Sequence, residues 1–449
     1  MGSSSEGSRR IAIVGFGYIG TCIGAVLADR GFVVTGIDPR PEVEQEIAKG
    51  ATSIHEPGLK DLVAKGVAAG RLKATTSYDA VREADVVLVT VGTPLGADHA
   101  PDMAQILSAS EQVAKRLRRG QLVMYKSTVP PGTTEDVVRP LLEKQGLRSG
   151  VDFFLAFCPE RLAEGRAIVE FLSLPIVVGG AEPESTRAAA EFWREALDVR
   201  VLELSTARAA EMSKLADNLF IDLNVALANE IAMLCDRMGM DAMEVIEAAN
   251  TLPKGTHHVN ILVPGAGVGG YCLTKDPWFV HWLGQRHGLD LRTPVASRSV
   301  NDGMPAYTAA AVRDELAQHG RALKGARVAI LGIAFKSNTG DVRFTPAGGT
   351  IHALRQAGAD VVVCDPWVSA RDAKAVTDAP LVASLDDALR GADAVVVLAG
   401  HTEFRTFPTP RLAELAKPGA LVLDGRAMYT KLQIAEMRKL GLRFRGIGR

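Results

Sequence analysis

The chain has 449 residues, more than the roughly 250–300 that one hydrophobic core supports, so its length predicts two or three domains. With 47% hydrophobic and 23% charged residues, it has the composition of a soluble globular protein. The formal net charge of −1 leaves no basic excess to neutralise a phosphate backbone, so we expect no nucleic-acid partner.

The cysteines and the apolar runs exclude further classes. The five cysteines are odd in number, widely scattered and never spaced as CxxC, so we expect neither a disulfide framework nor a metal site. The polar first ten residues lack the apolar segment of a secretory signal, and no run reaches the ~18 apolar residues of a membrane span. We therefore expect a cytoplasmic protein with no membrane partner.

Short apolar runs alternate with amphipathic stretches from Arg10 onward, namely IAIVGFG, FVVTGID, ADVVLVTVGTP and QLVMYKSTV. Apolar strands separated by helices are typical of a parallel sheet that is covered on both faces. We predict that residues 1–205 form a Rossmann-like, cofactor-binding domain of the α/β class.

A glycine-rich turn follows the first strand and opens a helix; its residues are Gly15, Phe16, Gly17, Tyr18, Ile19 and Gly20. Such glycines permit a tight turn and let a pyrophosphate approach the helix N-terminus. Asp38 follows about 20 residues on, where an acid accepts hydrogen bonds from the ribose of NAD. Arg40, two residues later, is a cation that could pair with the 2′-phosphate of NADP, so NADP stays an alternative cofactor. The alternative is a turn that only packs, with Asp38 capping a strand.

Residues 206–240 differ in character, because apolar residues recur at helical spacing for longer than in an average helix. We predict a long helix that links two domains and is followed by a smaller helical region, so that residues 206–304 form a central segment. The broad apolar stripe of this helix also suggests the seam of a homodimer or higher homo-oligomer.

Residues 305–449 repeat the strand–helix pattern in GARVAILGIAF, AGADVVVCDP, ADAVVVLAG and ALVLDGR. The repetition predicts a second Rossmann-like domain, and we expect a ligand between the two sheet domains. Gly332 follows the first strand of this region without a complete GxGxxG. We therefore expect the region to hold something other than a second dinucleotide.

The segment around Cys272 is the most informative in the chain. Four glycines lie within residues 265–270, and Lys275 and Asp276 follow the cysteine. Glycines let the backbone approach a ligand and uncover the thiol, and an accessible thiol beside a cation can form covalent intermediates. Taken alone, a buried and inert cysteine in a glycine-rich turn is an equally good interpretation.

Three other places supply side chains that suit such a site. Lys214 and Asn218 are four residues apart on one face of the predicted long helix, although many helix lysines are simply solvated. Ser127 and Thr128 end a strand of the first sheet, on the carboxyl edge where ligands bind. Glu160 follows the apolar run FFLAF, and we expect it at the same edge.

Over nearly its whole length the chain resembles the UDP-glucose/GDP-mannose dehydrogenase family. The motifs that carry the resemblance are, in order, IAIVGFGYIG, HEPGL, VGTP, STVPPGTT, CPER, EMSKLADNLF, GVGGYCLTKD and GIAFKSNTGDVR. Within the family, FCPER and GVGGYC followed by DPWF look like the branch that acts on UDP-N-acetylhexosamines such as UDP-ManNAc or UDP-GlcNAc. The resemblance implies NAD as cofactor and a UDP-sugar as substrate.

The resemblance also implies a four-electron oxidation of a C6 hydroxyl to a carboxylate, giving a uronic acid. Cys272 adds to the intermediate aldehyde as a thiohemiacetal, a second oxidation gives a thioester, and water releases the product. Lys214, assisted by Asn218, would stabilise the oxyanion at C6. Asp276 and Thr128 would orient the water or assist proton transfer.

The remaining roles are carried over from the family in the same way. Glu160 would be the general base for thioester hydrolysis, and Lys336 and Arg343 would contact the nucleotide or its diphosphate. Besides the glycine turn, the implied cofactor residues are Asp38, Arg40, Thr93 and Thr128. The implied substrate residues are Glu160, Arg161, Lys214, Asn218, His258, Asn260, Gly269, Lys336 and Arg343.

Three segments depart from the family pattern, all in or near the predicted sugar-nucleotide site. The pair His257-His258 stands where the N-acetylhexosamine branch often has an arginine, and an exposed loop is the simpler explanation of the histidines. The segment Asp424-Gly-Arg-Ala427 replaces a typical Asp-x-Arg-Asn. Ser337 and Gly340 alter a segment that usually reads Lys-Pro-Asn-Thr-Asp-Asp. We therefore expect the family's chemistry on a sugar that the sequence leaves open.

Other activities remain as alternatives. UDP-glucose 6-dehydrogenase is the next interpretation, followed by GDP-mannose 6-dehydrogenase. A single-step hydroxyacid dehydrogenase shares a Rossmann domain and a long helix with Lys and Asn at helical spacing, but it would release one NADH per substrate instead of two. The most remote alternative is a protein that binds NAD or a nucleotide sugar without catalysis.

Overall fold

The structure, a computed structural model, describes residues 9–449. The chain forms two compact units, the first ending at Asp217 and the second beginning at Asn218. Each unit contains a largely parallel sheet between apolar clusters, and one long helix contributes residues to both units. The predicted fold class, α/β with two Rossmann-like sheets joined by a long central helix and a small helical region, is confirmed.

The sheet of the first unit has eight strands: β1 Arg10–Val14, β2 Val33–Ile37, β3 Leu72–Thr75, β4 Val86–Val89, β5 Leu122–Tyr125, β6 Phe154–Phe157, β7 Ile176–Gly180 and β8 Val201–Glu203. They are arranged in the order β3-β2-β1-β4-β5-β6-β7-β8, and only β6 and β7 pair antiparallel. The central strands β4, β5 and β6 consist of apolar and aromatic residues because both faces of the sheet are covered. In β1, for example, Ile11 and Ile13 join one apolar cluster, whereas Ala12 and Val14 join another.

The helices of the first unit are α1 Tyr18–Asp29, α2 Pro41–Ala48, α3 Leu59–Ala68, α4 Ala80–Glu83, α5 Ala104–Ala114, α6 Arg139–Leu142, α7 Ala167–Phe171 and α8 Pro183–Ala196. A π-helical turn, Thr133–Val138, precedes α6, and a 3-10 turn, Glu143–Gln145, follows it. The segments that leave β1, β4, β5 and β6 lie at the carboxyl edge of parallel strands, where ligands bind in such folds.

The long helix, α9 (Ala207–Met238), carries a row of buried polar side chains. Its members are between 0% and 6% exposed: Glu211, Lys214, Asn218, Asp222 and Asn229. Steps of three, four and seven residues place them on one face of the helix. The interpretation of Lys214 as a solvated surface lysine is therefore wrong.

Among the described residues, α9 is the one helix whose length and composition would suffice to cross a bilayer. The central helix of a folded core satisfies the same criterion, so this is weak evidence for a membrane segment. The row of buried polar side chains is instead bonded to other parts of the protein, as the site geometry shows.

The second unit contains a five-stranded parallel sheet in the order β12-β11-β13-β14-β15 and a two-stranded hairpin. The hairpin strands are β9 Pro253–Lys254 and β10 His257–His258, and the sheet strands are β11 Arg327–Leu331, β12 Asp360–Cys364, β13 Ala394–Val397, β14 Leu421–Asp424 and β15 Arg443–Gly446. The helices are α10 Ala242–Ala249, α11 Asp276–Arg286, α12 Arg292–Gln318, α13 Ala347–Gln356, α14 Ala370–Val376, α15 Leu385–Leu389, α16 Thr402–Arg405, α17 Thr409–Leu415 and α18 Lys431–Lys439.

The domain boundaries after residues 205 and 304 stay predictions. The first falls directly before α9, which begins at Ala207. The second falls inside α12, which continues through Gly303 and Pro305 to Gln318. A glycine and a proline so close together look like a break in the sequence, but here the helix passes through them.

Candidate active site

The three glycines of the cofactor turn differ in what a side chain at each position would contact. Gly15 has a φ of +90°, and a Cβ there would come within 2.9 Å of the Thr90 carbonyl. A Cβ on Gly20 would lie 2.3 Å from the carbonyl oxygen of Gly15, so Gly20 lets the helix begin against the turn. A Cβ on Gly17 would meet nothing within 4 Å. The space beside Gly17, at the N-terminus of α1, therefore fits the pyrophosphate of a dinucleotide.

Asp38 lies directly after β2 and is 5% exposed. Arg40 donates two parallel hydrogen bonds to its carboxylate, from Nε to Oδ1 at 2.8 Å and from Nη2 to Oδ2 at 3.0 Å. Each carboxylate oxygen can accept further hydrogen bonds, so the pair fits a ribose diol. Thr93, which is 3% exposed, lies in the segment that leaves β4 at the same sheet edge.

Replacing Asp38 by alanine tests this arrangement. We expect the KM for NAD+ to rise about tenfold, because a charged hydrogen-bond acceptor for the ribose is lost. The change also releases Arg40 to meet a 2′-phosphate, so the kcat/KM ratio of NADP+ to NAD+ should rise. Arg40→Ala is the matched control and should keep the preference for NAD+. An unchanged KM for NAD+ in Asp38→Ala would remove Asp38 from the cofactor site.

Lys126, which the sequence analysis did not select, is a buried cation at the end of β5. It is 3% exposed, and its Nζ donates to the Cys158 carbonyl at 3.1 Å and lies 5.2 Å from the centre of the Trp193 ring. Burial lowers the pKa of Lys126. A lysine that interrupts the apolar run LVMYKSTV is the signal that could have found it.

The charged residues Glu160, Arg161 and Lys214 all interact electrostatically with Lys126. Glu160 is half-buried, and its carboxylate accepts a hydrogen bond from the Leu162 backbone. Arg161 donates to the Pro175 carbonyl, and Lys214 is 5% exposed. The first unit thus brings the adjacent residues Glu160 and Arg161 and the distant Lys214 close to the same buried lysine.

Tyr18 of the cofactor turn is bonded to the segment that contains Glu160. Its hydroxyl donates to the Glu56 carboxylate, which also accepts from the Gly165 backbone at 2.7 Å. Burial and the hydrogen bond to Glu56 raise the pKa of Tyr18. The predicted cofactor turn is therefore hydrogen-bonded to the segment that carries the predicted base, Glu160.

Glu211, in the first turns of α9, anchors that helix to the π-helical turn. Its carboxylate accepts from the Gly132 backbone at 2.6 Å and from both the backbone and the hydroxyl of Thr134 at 2.7 Å. Burial raises the pKa of Glu211 to about 7. Because Lys214 lies one turn later, Glu211 fixes the part of α9 that carries it. Thr128, half-buried, lies in the segment between β5 and this turn.

The second unit places Cys272 beside a buried polar cluster. Asp276 is 0% exposed; its Oδ2 accepts from Asn218 Nδ2 at 2.5 Å, and its Oδ1 accepts from Lys275 Nζ at 2.5 Å. The backbone N–H groups of Lys275 and Asp276 donate to the Cys272 carbonyl at 3.1 and 2.9 Å. Cys272 is half-buried, whereas the other four cysteines are buried.

The glycines before Cys272 make room for protein as well as for any ligand. A Cβ on Gly269 would lie 2.7 Å from Phe335 Cβ, and a Cβ on Gly270 would lie 2.7 Å from the Phe335 ring. Gly267 and Gly270 also have positive φ values, of +112° and +89°. The physical reason that the sequence suggested, close approach to a ligand, is therefore incomplete, because the loop packs directly on Phe335.

Arg343 contacts the loop that carries Cys272. Within residues 9–449, His258 makes no hydrogen bond to that loop. The Arg343 carbonyl accepts from the Gly270 backbone at 3.1 Å, and its guanidinium lies 5.8 Å from the centre of the Tyr271 ring. Lys336 is half-buried in the segment that follows β11. His257 and His258 form an exposed strand of a hairpin. The neighbouring Asn260 is exposed, and its carbonyl accepts from α9.

Comparison with known proteins decides the family. Models of the UDP-glucose/GDP-mannose dehydrogenase family match residues 9–197 (NAD binding domain), 208–303 (central domain) and 329–431 (UDP binding domain). The chain belongs to the UDP-glucose/GDP-mannose dehydrogenase family. It is an NAD-dependent UDP-sugar dehydrogenase, an oxidoreductase, and the predicted family and cofactor are confirmed.

Individual members of the family are similar over nearly the whole chain. A UDP-N-acetyl-D-mannosamine dehydrogenase from Pyrococcus horikoshii is 35% identical over 440 residues, 98% of this chain and 99% of that protein. An NDP-N-acetyl-D-galactosaminuronic acid dehydrogenase from Ralstonia nicotianae is 36% identical, covering 95% and 98%. The solved structure of a UDP-D-ManNAc dehydrogenase from Pyrococcus horikoshii has a TM-score of 0.87 at 34% identity, covering 98% and 99%.

Gly340, one of the departures from the family pattern, has a structural explanation, and Arg426, which the altered segment keeps from the pattern, is hydrogen-bonded. A Cβ on Gly340 would lie 2.5 Å from the Trp367 carbonyl oxygen, so the backbone there leaves no room for a side chain. Arg426 donates through Nη1 to the Gly267 carbonyl at 3.0 Å and through Nε to the Leu398 carbonyl at 2.7 Å. Burial lowers the pKa of Arg426 to about 10. Nothing in the structure explains Ser337, which is exposed.

Ala427, where the family usually has asparagine, has a φ of +48°. The left-handed region costs an ordinary residue about 1–2 kcal/mol, and asparagine tolerates it better. We therefore expect Ala427→Asn to raise the free energy of unfolding by about 0.5–1 kcal/mol, measured by urea denaturation. The control is Ala435→Asn in α18, which should lower it by about 0.5 kcal/mol through lost helix propensity. Equal destabilisation by both substitutions would contradict the strain at Ala427.

Proposed function

We propose that the chain oxidises the C6 hydroxyl of a UDP-N-acetylhexosamine to the 6-carboxylate, through a thiohemiacetal and a thioester on Cys272. The observation that carries this proposal is the buried cluster of Asp276, Asn218 and Lys275. The backbone N–H groups of Lys275 and Asp276 hold the Cys272 turn. The choice of sugar is supported by the relatives, whose names specify N-acetylmannosamine and N-acetylgalactosaminuronic acid. UDP-glucose and GDP-mannose are the alternatives.

The reaction balances as two oxidations and one hydrolysis. A bound NAD+ would supply the acceptor for the hydride that leaves C6 in each oxidation. The primary alcohol loses a hydride and a proton to give the aldehyde, and the Cys272 sulfur adds to its carbonyl carbon. Loss of a second hydride and proton gives the thioester, and water cleaves the carbon–sulfur bond to give the carboxylate and free thiol. Covalent attachment retains the aldehyde until it is oxidised.

The polar residues around this chemistry have distinct proposed roles. Lys214 is a buried cation on α9 and would stabilise the oxyanion at C6, with Asn218 one turn further along the helix. Asp276, held by two charged or polar donors, would orient the attacking water together with Thr128. Glu160, fixed by the Leu162 backbone, would remove a proton from that water.

The nucleotide is proposed to bind through groups that suit a diphosphate and a sugar. Lys336 and Arg343 supply positive charge, although Arg343 is paired with Asp341 at 2.5 Å and would exchange this partner for phosphate. The other proposed substrate residues are Arg161, His258, Asn260 and Gly269. Of these, His258 and Asn260 are exposed, and their roles depend on the substrate reaching the β9–β10 hairpin.

One assay tests the proposed function. UDP-ManNAc, UDP-GlcNAc, UDP-glucose and GDP-mannose are supplied separately, and NADH release is followed by its absorbance. We expect about two equivalents of NADH per substrate consumed. The highest kcat/KM should belong to an N-acetylhexosamine. One NADH per substrate would contradict the double oxidation, and a preference for UDP-glucose would favour the alternative. Inactivity with all four sugars, despite tight binding, would favour a non-catalytic protein.

We also infer that two copies of the chain associate along α9. Large apolar side chains line an exposed stripe of this helix: Phe220 is 57%, Leu227 46%, Leu234 60% and Met238 61% exposed. A row of such side chains over five turns is unusual on a monomer and typical of a self-association surface. A second copy presents the same stripe, which makes the surface complementary to itself.

Leu227→Asp tests the homodimer, because it places a charge in the middle of the stripe. We expect size-exclusion chromatography with light scattering to show a dimer for the unchanged chain and a monomer for the variant. Leu432→Asp on α18, where the leucine is 83% exposed, should leave the mass unchanged. A monomeric unchanged chain, or a variant that remains dimeric, would contradict the inference.

A further inference from the structure

Four buried polar side chains connect helices α9 and α12 within the second unit. They are each 0% or 1% exposed: Asp222 and Asn229 on α9, and Arg298 and Asn301 on α12. None of the four is among the residues that the family resemblance selected for the reaction. Their hydrogen bonds nevertheless lead to both ends of the glycine loop that carries Cys272.

The connection begins at the first glycine of that loop. The Gly265 backbone N–H donates to Asn229 Oδ1 at 2.9 Å, and Asn229 Nδ2 donates to Asn301 Oδ1 at 2.9 Å. Asn301 Nδ2 then donates to Asp222 Oδ1 at 2.8 Å and to the Asp222 carbonyl at 2.9 Å. Each amide uses both its donor and its acceptor, which fixes the direction of every bond.

Arg298 completes the connection at the other end of the loop. Its Nη1 donates to Asp222 Oδ1 at 2.7 Å and to the carbonyl of Leu273, the residue after Cys272, at 3.3 Å. Its Nη2 donates to Asp302, one turn further along α12. A continuous series of hydrogen bonds thus runs from Gly265 to Leu273.

Stability alone is a poor reason for this network. Asp222 Oδ2 and Arg298 Nε are buried and make no hydrogen bond within the described residues. Such unsatisfied atoms are costly, and replacing a buried ion pair by apolar side chains is often neutral or stabilising. What the network provides, and apolar packing would not, is directional bonds at two fixed points of the loop.

We propose that Asp222, Arg298, Asn301 and Asn229 are positioning residues that hold the Cys272 loop at both ends. This keeps the half-buried thiol aligned with the aldehyde carbon. The proposal rests on the proposed role of Cys272 as the nucleophile. The four residues act through the loop backbone, because the groups they bond there are the Gly265 N–H and the Leu273 carbonyl.

Asp222→Asn is the central test, because it removes the charge that holds Arg298 while keeping the shape of the side chain. We expect kcat to fall about 10- to 100-fold, since a small misplacement of a reacting group has effects of that order. The KM for NAD+ should not change. Alkylation of Cys272 by iodoacetamide, located by peptide mass mapping, should become faster because a loosened loop exposes the thiol.

Opposite changes in the two rates distinguish positioning from electrostatics. If Asp222 acted by its charge on the thiolate, alkylation and kcat would change in the same direction, and that result would overturn the proposal. Asp302→Asn is the matched control: Asp302 also pairs with Arg298 but is 59% exposed and lies outside the series of bonds. It should leave both rates unchanged. An equal loss of kcat in Asp302→Asn would also overturn the proposal.

A second variant covers the case in which Asp222→Asn does not fold. Asn229→Ser breaks the series next to Gly265 without leaving a charge unpaired, and it should show the same opposite changes. The alkylation rate is independent of activity, so failure of the proposed function is separable. If Cys272→Ser retained carboxylate formation, the nucleophile would be wrong, while faster alkylation would still show that the network holds the loop.

Discussion

Replacing Cys272 by serine should lower carboxylate formation by about 10³-fold or more, because the thiol forms both covalent intermediates of the proposed reaction. Serine is similar in shape, but its hydroxyl is a far weaker nucleophile than a thiolate and its ester is a poorer acyl donor. The first oxidation does not require the sulfur. We therefore expect about one NADH per substrate and a detectable aldehyde in place of two NADH and a uronic acid.

The cofactor provides the first control for this substitution, since NAD+ binding measured by intrinsic fluorescence should be unchanged. Cys235→Ser is the matched variant within the second unit, because Cys235 is 2% exposed and lies on α9. It should still release two NADH per substrate. Two NADH and full carboxylate formation by Cys272→Ser would show that the chain does not use this cysteine as its nucleophile.

Much of the fold follows from local patterns in the sequence and was therefore predictable. Strand β1 after Arg10 and strands β4 and β5 are uninterrupted apolar runs, and both faces of the sheet are indeed covered. The start of α9 within one residue of the expected position follows from the change to helical spacing after Thr206. The π-helical turn was not predicted, because its geometry depends on the Glu211 carboxylate, which is 77 residues from Thr134 in sequence.

The residues of the candidate site could be proposed from the sequence, but the bonds among them could not. Cys272 and Asp276 follow from one short motif, whereas the Asp276 partner Asn218 lies 58 residues earlier. Asp222 looks like a solvated helix residue until the fold brings Arg298, 76 residues away, to its carboxylate. A single sequence gives the type and spacing of polar residues along a helix. It does not give the burial of the face on which they lie.

Glu160→Gln should separate the last step of the reaction from the first two. Glutamine keeps an oxygen that can accept the Leu162 N–H, so the segment should remain in place. It cannot take a proton from water, and hydrolysis of the thioester should slow by about 10²–10⁴-fold. We expect a rapid burst of about two NADH per protomer followed by a slow steady state, with the sugar nucleotide attached to Cys272.

Mass spectrometry of the intact protein distinguishes this outcome from a general loss of activity. The adduct should appear in Glu160→Gln and be absent from the double variant Glu160→Gln/Cys272→Ser, which should release one NADH without a burst of two. Hydroxylamine should release the trapped acyl group, as it does for thioesters. A slow first NADH, with no adduct, would instead place Glu160 in the oxidation steps or in substrate binding, consistent with its electrostatic interaction with Lys126.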